Sequence, residues 1–314
     1  MRALKPAIIL SLAGTLLSAS PSARADLMPE VLPNRLILLD IVSESGHLFA
    51  VGERGMILDS PDGGGHWQAN STPTTRTLTG IAFMTPDLAL AVGHGGTLLR
   101  TENGGGRWEK VEFAELGTGS VLGALALDDH TCLLWGAFGL FARSDDGGKS
   151  WRKSEILGAD FDRHISQIIK VQDDGLLLVG ESGALAVSAD RGSHWQALKT
   201  PYEGSFFGAL YAADGAWLIY GMRGNLYRSA DRGQSWSRVD LGTTRGLMNG
   251  RQLPDGRIVL VGNVGLIAVS GDGGKSFAVS ESARGLGLAQ LVPTSQGGVV
   301  AVGEGGVETL SVMP

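Results

Sequence analysis

A single cysteine, Cys132, occurs in 314 residues, so no internal disulfide can staple the fold. Its place between Thr131 and Leu133 in a strand-like run marks a buried, inert thiol rather than a nucleophile. Charge is scarce as well. Charged residues make up 18% of the chain and the formal net charge is −6, which leaves no basic footprint for general nucleic-acid binding. Beyond the N-terminus, no apolar run approaches the roughly 18 residues that a membrane-spanning helix needs. The six histidines (His47, His66, His94, His130, His164, His194) lack metal-ligand spacing, and neither H-x-x-E-H nor G-x-S-x-G occurs. Asp145-Asp146-Gly147-Gly148 lacks the remaining ligands of a calcium loop, and no helix follows turns such as Gly63-Gly64-Gly65 to make them phosphate loops. No metal or other cofactor is expected.

Glycine, by contrast, is abundant, with 48 residues alongside plentiful aliphatic side chains, a balance that suits an all-β protein with many tight turns. The N-terminus reads as a secretory signal over residues 1–25. Arg2 and Lys5 are its positive start, Ala7 to Leu17 its apolar stretch, and Ala23-Arg24-Ala25 a small-x-small cleavage site. Removing those three cations takes the net charge from −6 to about −9 in a mature chain of residues 26–314. No Cys lies near the cleavage site, so a lipid anchor is not expected. The expected location is periplasmic or secreted, with no membrane span after cleavage.

A small apolar motif ending in glycine recurs seven times, at Ala50-Val51-Gly52, Ala91-Val92-Gly93, Leu134-Trp135-Gly136, Leu178-Val179-Gly180, Ile219-Tyr220-Gly221, Leu260-Val261-Gly262 and Ala301-Val302-Gly303. The steps are 41, 43, 44, 41, 41 and 41 residues, the sign of a repeat architecture. Each copy continues through a short turn and an alternating strand. Six copies then carry S-x-D-x-G-x-x-W, with Asp62, Asn103, Asp146, Asp190, Asp231 and Asp272 followed by Trp67, Trp108, Trp151, Trp195, Trp236 and Phe277. The short carboxylate can accept backbone N–H groups just downstream, glycine supplies positive φ, and the ring is placed to bury between sheets.

Four strands in about 41 residues leave room only for short connections, so each repeat is an antiparallel meander. Such a sheet buries both faces when repeated radially. The expectation is a seven-bladed β-propeller in one domain over residues 26–314. The seventh copy ends soon after its third strand. Leu27 to Leu32, upstream of a first inner strand expected at Leu36 to Val42, is then the source of the missing outer strand, closing the ring.

The S-x-D-x-G-x-x-W element resembles the Asp box of BNR-repeat proteins, which include glycosidases, sorting-receptor ectodomains and photosystem II stability/assembly factors. Residues 30 to 312 are similar to the last group. The similarity rests on the spacing, on A-V-G-x-x-G-x-[IL] at Ala50 to Ile57 and Ala91 to Leu98, and on L-x-G-I-A-F at Leu78 to Phe83. It implies a non-enzymatic, lumenal or periplasmic accessory protein that helps a membrane complex assemble. The cyanobacterial lipobox is absent here. Family members in bacteria without photosystems are often associated with exporters of the resistance-nodulation-division superfamily, so the implied partner is a membrane complex or an exporter subunit. In a phototroph the implied location is the thylakoid lumen.

Strand alternation in a meander puts the 1–2 turns and the Asp boxes on one face, and the 2–3 turns and the links between blades on the other. Counting back 17 residues from each motif glycine gives Arg35, Arg76, Gly119, Arg163, Gly204, Arg245 and Leu286, four arginines where the chain enters the innermost strand. The 2–3 turns add Arg54 and Arg223, with Glu53, His94, Glu181, Asn263 and Glu304. Arg251 stands in an inner-strand column otherwise made of Ile41, Ala82, Leu125, Ile169, Leu210 and Val292. These arginines form a candidate mouth for partner carboxylates. Solvated loop arginines, or Arg–Glu pairs holding blades together, are the competing reading.

The alternative class is an Asp-box glycosidase, sialidase-like protein or glycan-binding propeller. A sialidase needs an arginine cluster, a Tyr nucleophile paired with Glu, and an Asp acid/base. Among Tyr202, Tyr211, Tyr220 and Tyr227, the last two flank a turn as strand residues and read as packing. No R-I-P segment precedes the first box, and the copies are more uniform than catalytic loops allow. Docking is therefore expected rather than catalysis.

Overall fold

The computed structural model describes residues 32–294 and 298–312. The signal, its cleavage site and all but Leu32 of the segment assigned to ring closure lie outside the described residues. What is described is seven sheets in a ring. Among the described residues the chain is all-β apart from short 3-10 turns, and no helix is long and apolar enough to cross a membrane. Six sheets have four antiparallel strands in meander order, and the seventh has three among the described residues. The inner strands are Leu38–Glu44, Leu78–Phe83, Val121–Ala126, Ile165–Lys170, Phe206–Tyr211, Leu247–Gln252 and Leu288–Pro293, each packed against the next and the last against the first. Near the closure the 3-10 turn Pro33–Arg35 packs on Gly306–Leu310 of the seventh blade. The first inner strand starts two residues later than expected because Ile37 bonds sideways. Its carbonyl accepts the Glu53 N–H and its N–H donates to the Glu53 carboxylate.

The recurring apolar triplet is the second strand of each blade, as at Ala89–Gly93 and Leu176–Gly180, and it is buried throughout. A strand covered on both faces reads as a continuous apolar run rather than an alternating one. Its final glycine is fixed by a backbone crossing, since a Cβ on Gly93 would lie 2.2 Å from the Thr77 carbonyl oxygen. In all seven blades the following residue donates its N–H to the carbonyl at that crossing, as His94 does to Thr77 and Asn263 to Gly246.

Seven apolar clusters fill the seven blade interfaces. Trp67 joins the cluster that closes the ring through Val292 and Val300, and Trp108 joins Phe49 and Val51 of the first blade. Trp151, Trp195, Trp236 and Phe277 pack in the same way on the preceding blade. The S-x-D turns aim these rings. In the third blade the Asp146 carboxylate accepts the Ser144 hydroxyl at 2.8 Å and the Lys149 and Ser150 N–H groups at 3.0 and 2.9 Å. The Ser144 hydroxyl oxygen in turn accepts the buried Gly148 N–H at 2.9 Å. Burial works to raise the acid's pKa, but the bonds from Ser150 and Ser144 outweigh it and hold Asp146 down to about 2. Asp231 is likewise held at about 2, first by the Ser235 hydroxyl. In the second blade Asn103 keeps the geometry without charge, accepting from Thr101 and the Arg107 N–H.

A second device on this face does not follow from the repeat. Arg100, Arg143 and Arg228, on third strands, each reach across to a backbone carbonyl in the next blade's S-x-D turn. The acceptors are Gly147 at 2.6 Å, Arg191 at 2.8 Å and Gly273 at 2.9 Å. Glu102, Asp145 and Asp214 neutralise these guanidiniums. Cys132 is fully buried and burial pushes its thiol up to about 12, as expected of an inert side chain.

Candidate partner-docking face and channel

The inner strands surround a cavity of about 800 Å³ on the ring axis. Each inner strand presents its free edge to this channel, where unpaired N–H groups need acceptors. One column of polar side chains supplies them. Asp40 accepts the N–H of Ile41 and of Ile81 in the next blade, both at 2.9 Å, and the Gln290 amide at 3.3 Å. Gln167, Asn249 and Gln290 accept the N–H of Ala209, Gly250 and Leu291 at 2.8, 2.7 and 2.9 Å. Burial raises the Asp40 pKa against the opposing pull of these bonds and of the Arg251 charge. The column is edge-satisfying structure, not an acid/base pair. Tyr220 is fully buried, its phenol pushed well above the ordinary range by desolvation, as befits a packing residue. Among the described residues no cluster of side chains could hold a metal ion.

Arg76, Arg163 and Arg245 stand two residues before their inner strands, at the link face. Register corrects the count in the first blade. Its first hairpin, turning at Ser45-Gly46, is one residue shorter, so Ile41 faces Ala50 where Ile81 faces Ala91. The residue equivalent to Arg76 is therefore Leu36, with Arg35 one position upstream and exposed. By the same shift, the row of Arg251 contains Val42, while Ile41 is buried between blades. Arg251 lies near the S-x-D end of the channel, apart from the other arginines, since it is the penultimate residue of its strand.

The other arginines divide into those held against turns and those extended into solvent. The Arg163 guanidinium donates to the Ser182 carbonyl at 2.9 Å, and Arg245 donates to the Val264 carbonyl at 3.3 Å and Glu281 at 2.8 Å. The Arg76 side chain lies against Gly95. These three thus lean on the 2–3 turns of their own blades. Arg54 and Arg223 occupy the tips of such turns. The Arg54 side chain is 81% exposed, with Glu53 no nearer than 3.9 Å, and Arg223 is exposed without a hydrogen bond among the described residues. The acids of these turns are engaged. Glu53, Glu181 and Glu304 accept the N–H of Ile37, His164 and Gly287 at 3.1, 3.1 and 3.0 Å.

What the residue pattern did not reveal is the apolar character of this face. Of nine large apolar side chains exposed among the described residues, seven lie on it: Leu32, Ile37, Phe138, Leu157, Met222, Val264 and Leu286. Tyr211 and Val279 are the other two, so the S-x-D face is almost free of such groups. Phe138 is 77% exposed, standing edge-on to His164 with ring centroids 4.8 Å apart.

A family model described as photosynthesis system II assembly factor YCF48 matches residues 65–313. The chain belongs to this family. Two solved YCF48 structures share its fold at 17% identity. The one described as YCF48 bound to D1 peptide has a TM-score of 0.72, covering 90% of this chain and 94% of its own. YCF48 from Cyanidioschyzon merolae has a TM-score of 0.70, covering 89% and 96%. The likeness extends to other propellers. An ancestral GH74 enzyme, at 14% identity, gives a TM-score of 0.70 over 87% of this chain and 44% of its own. At these identities the structural likeness speaks to the fold alone. No curated protein matches the sequence.

Proposed function

We propose that this YCF48-family propeller is an exported, non-enzymatic docking factor that holds part of a membrane-protein complex on its link face during assembly. The supporting observation is the asymmetry between faces. Exposed apolar side chains are confined almost wholly to the link face, where arginines also stand at turn tips, and contiguous apolar surface rimmed by charge is the ordinary mark of a protein contact. Family membership points the same way, as does the D1 peptide bound by a relative of the same fold. In a phototroph the partner is a photosystem II component on the lumenal side. Elsewhere it is the periplasmic part of another membrane complex, such as an exporter. Against catalysis stands the occupancy of Asp40, whose carboxylate is committed to backbone and amide donors.

The test compares the faces. Wild type, a link-face variant (Arg76→Glu, Arg163→Glu, Arg245→Glu) and an S-x-D-face variant (Lys149→Glu, Lys275→Glu) are used to capture partners from solubilised envelope. The expected result is one membrane protein, identified by mass spectrometry, held by wild type and by the S-x-D-face variant but not by the link-face variant. Equal capture by all three folded proteins overturns the reading, and sustained hydrolysis of a sialoside or glucan replaces it with the enzymatic one.

A further inference from the structure

Four consecutive blades, the fifth, sixth, seventh and first, each present one exposed apolar side chain at the link face: Met222, Val264, Leu286 and Ile37. Nearer the axis, Phe207, Met248 and Leu39 of the same arc are half-exposed at the channel wall. Each of these three is the extra residue of a β-bulge in its inner strand, which is what turns it toward the mouth. Outside the arc only the third blade carries comparable groups, Phe138 at its turn tip and Leu122 at its bulge. In the second and fourth blades the bulge residues are Thr79 and Ser166, and the turn tips are Gly95 and Ser182.

Charge is arranged around the same arc. Arg223 stands at one end in the fifth blade and Arg54 at the other in the first, both at exposed turn tips, Arg54 with the Glu53 carboxylate 3.9 Å away. The turn acids within the arc, Glu53 and Glu304, are engaged with backbone N–H groups. An apolar crescent therefore faces solvent with an exposed arginine at each horn, and Arg284 and Arg35 are exposed between them. The tip conformation adds a second sign. Val264 holds φ 54°, a left-handed conformation that is a costly outlier for a β-branched residue, where Gly95 shows that glycine serves.

We propose that this crescent binds a polypeptide segment carrying an apolar stripe with a carboxylate toward each end. The stripe lies across blades five, six, seven and one, and the carboxylates are taken by Arg223 and Arg54, whose planar guanidiniums suit bidentate capture. The inference rests on the docking reading and specifies the arc of the face and the chemistry of what occupies it.

Three fluorescein-labelled 16-residue peptides test it: one with a leucine stripe and glutamate pairs at both ends, one with lysine replacing the glutamates, and one with serine replacing the leucines. The purified protein is expected to bind the first at least about tenfold more tightly than either other. Val264→Glu, an exposed change, should weaken that binding about tenfold at unchanged melting temperature. The double variant Arg54→Glu, Arg223→Glu should switch preference to the lysine-ended peptide, an exchange that a merely structural role would not give. Equal binding of all three peptides overturns the proposal, as does unchanged affinity in folded Val264→Glu. Binding to phosphatidylglycerol vesicles that Val264→Glu abolishes, without peptide binding, assigns the crescent to a lipid surface instead. Loss of self-association in Val264→Glu, read by sedimentation, assigns it to a second copy. Undiminished capture of a membrane partner by Val264→Glu overturns the crescent and leaves the docking reading standing.

Discussion

Both faces of the ring make the same demand on the chain, a residue at positive φ in a tight turn, and they meet it differently. On the S-x-D face the first such position is Gly63, Gly104, Gly147 and Gly273 in four blades, and arginine in two. Those two arginines repay the strain by bridging to the neighbouring blade, Arg191 to Asp128 and Arg232 to Asp173. On the link face the corresponding residues are Arg54, Gly95, Phe138, Ser182, Arg223 and Val264. Phe138 and Val264 hold the strained conformation with side chains 77% and 53% exposed. One face spends its side chains on holding blades together. The other keeps strained and apolar groups in water, which natural turns do where something else selects for them.

The comparison is sharpened first where the S-x-D turn meets the core. Trp108→Ala empties space at the interface of the first two blades and should cost about 3–5 kcal/mol, the usual range for a buried aromatic truncated to alanine. Urea unfolding measures it. A loss under about 1 kcal/mol would mean that the turns do not organise the interfaces. Next come the arginines. Arg228→Met removes a mostly buried guanidinium that joins two blades, for an expected loss of about 1.5–3 kcal/mol. Arg163→Met at the exposed link face should cost at most about 1 kcal/mol. Equal losses would erase the distinction between a stapled face and a presented one.

Acid should act on the S-x-D face selectively. Asp146, Asp190 and Asp231 are held near pKa 2, below the roughly 3.9 of an unfolded aspartate. Folded pKa values below unfolded ones mean that the unfolded chain binds more protons. Their contribution is complete above about pH 4 and is lost as pH falls through about 2. Replacing all three with asparagine, as the second blade already does at Asn103, should flatten the fall in stability between pH 4 and 2 by lowering the plateau at neutral pH, since asparagine lacks the charge whose bonds are lost in acid. An unchanged acid transition would show that other groups control it.

Much of the fold was legible because it is written in backbone necessities that repeat. The buried triplet, the glycine at the backbone crossing and the S-x-D cap recur at nearly fixed spacing, and seven copies over-determine seven sheets. The site was less legible, and for definite reasons. Counting from the motif glycine misplaced Arg35 and Ile41 by one position, because the Ser45-Gly46 hairpin is a residue shorter and a count cannot see a turn contract. The count also treated Arg163 and Arg54 alike, though one is hydrogen-bonded to a carbonyl and the other extends into solvent. Phe138 and Val264 carried a signal that could have been read: a large apolar residue directly before a turn glycine, where other copies have Gly, Ser or Arg. In an apolar sequence that signal is easily taken for strand.

The smallest expected effect separates strain from packing most cleanly. Val264→Gly removes a left-handed β-branched residue, whose conformation costs about 1–2 kcal/mol. Against this, glycine frees the unfolded chain by about 0.5–1 kcal/mol. Val264 is 53% exposed, so little burial is lost, and the balance favours a gain of about 0.5–1 kcal/mol. Ser182→Gly, at the equivalent tip, removes only a small polar side chain and keeps the backbone N–H that donates to the Ser205 hydroxyl, so it serves as the near-neutral control. Gly55→Ala should move the other way, since its Cβ would lie 2.2 Å from the Thr74 carbonyl oxygen. Chemical denaturation of the three variants decides the matter. A Val264→Gly protein no more stable than wild type would mean that valine is held there by contacts within the fold. A more stable one locates the reason for valine outside the molecule, in what the link face binds.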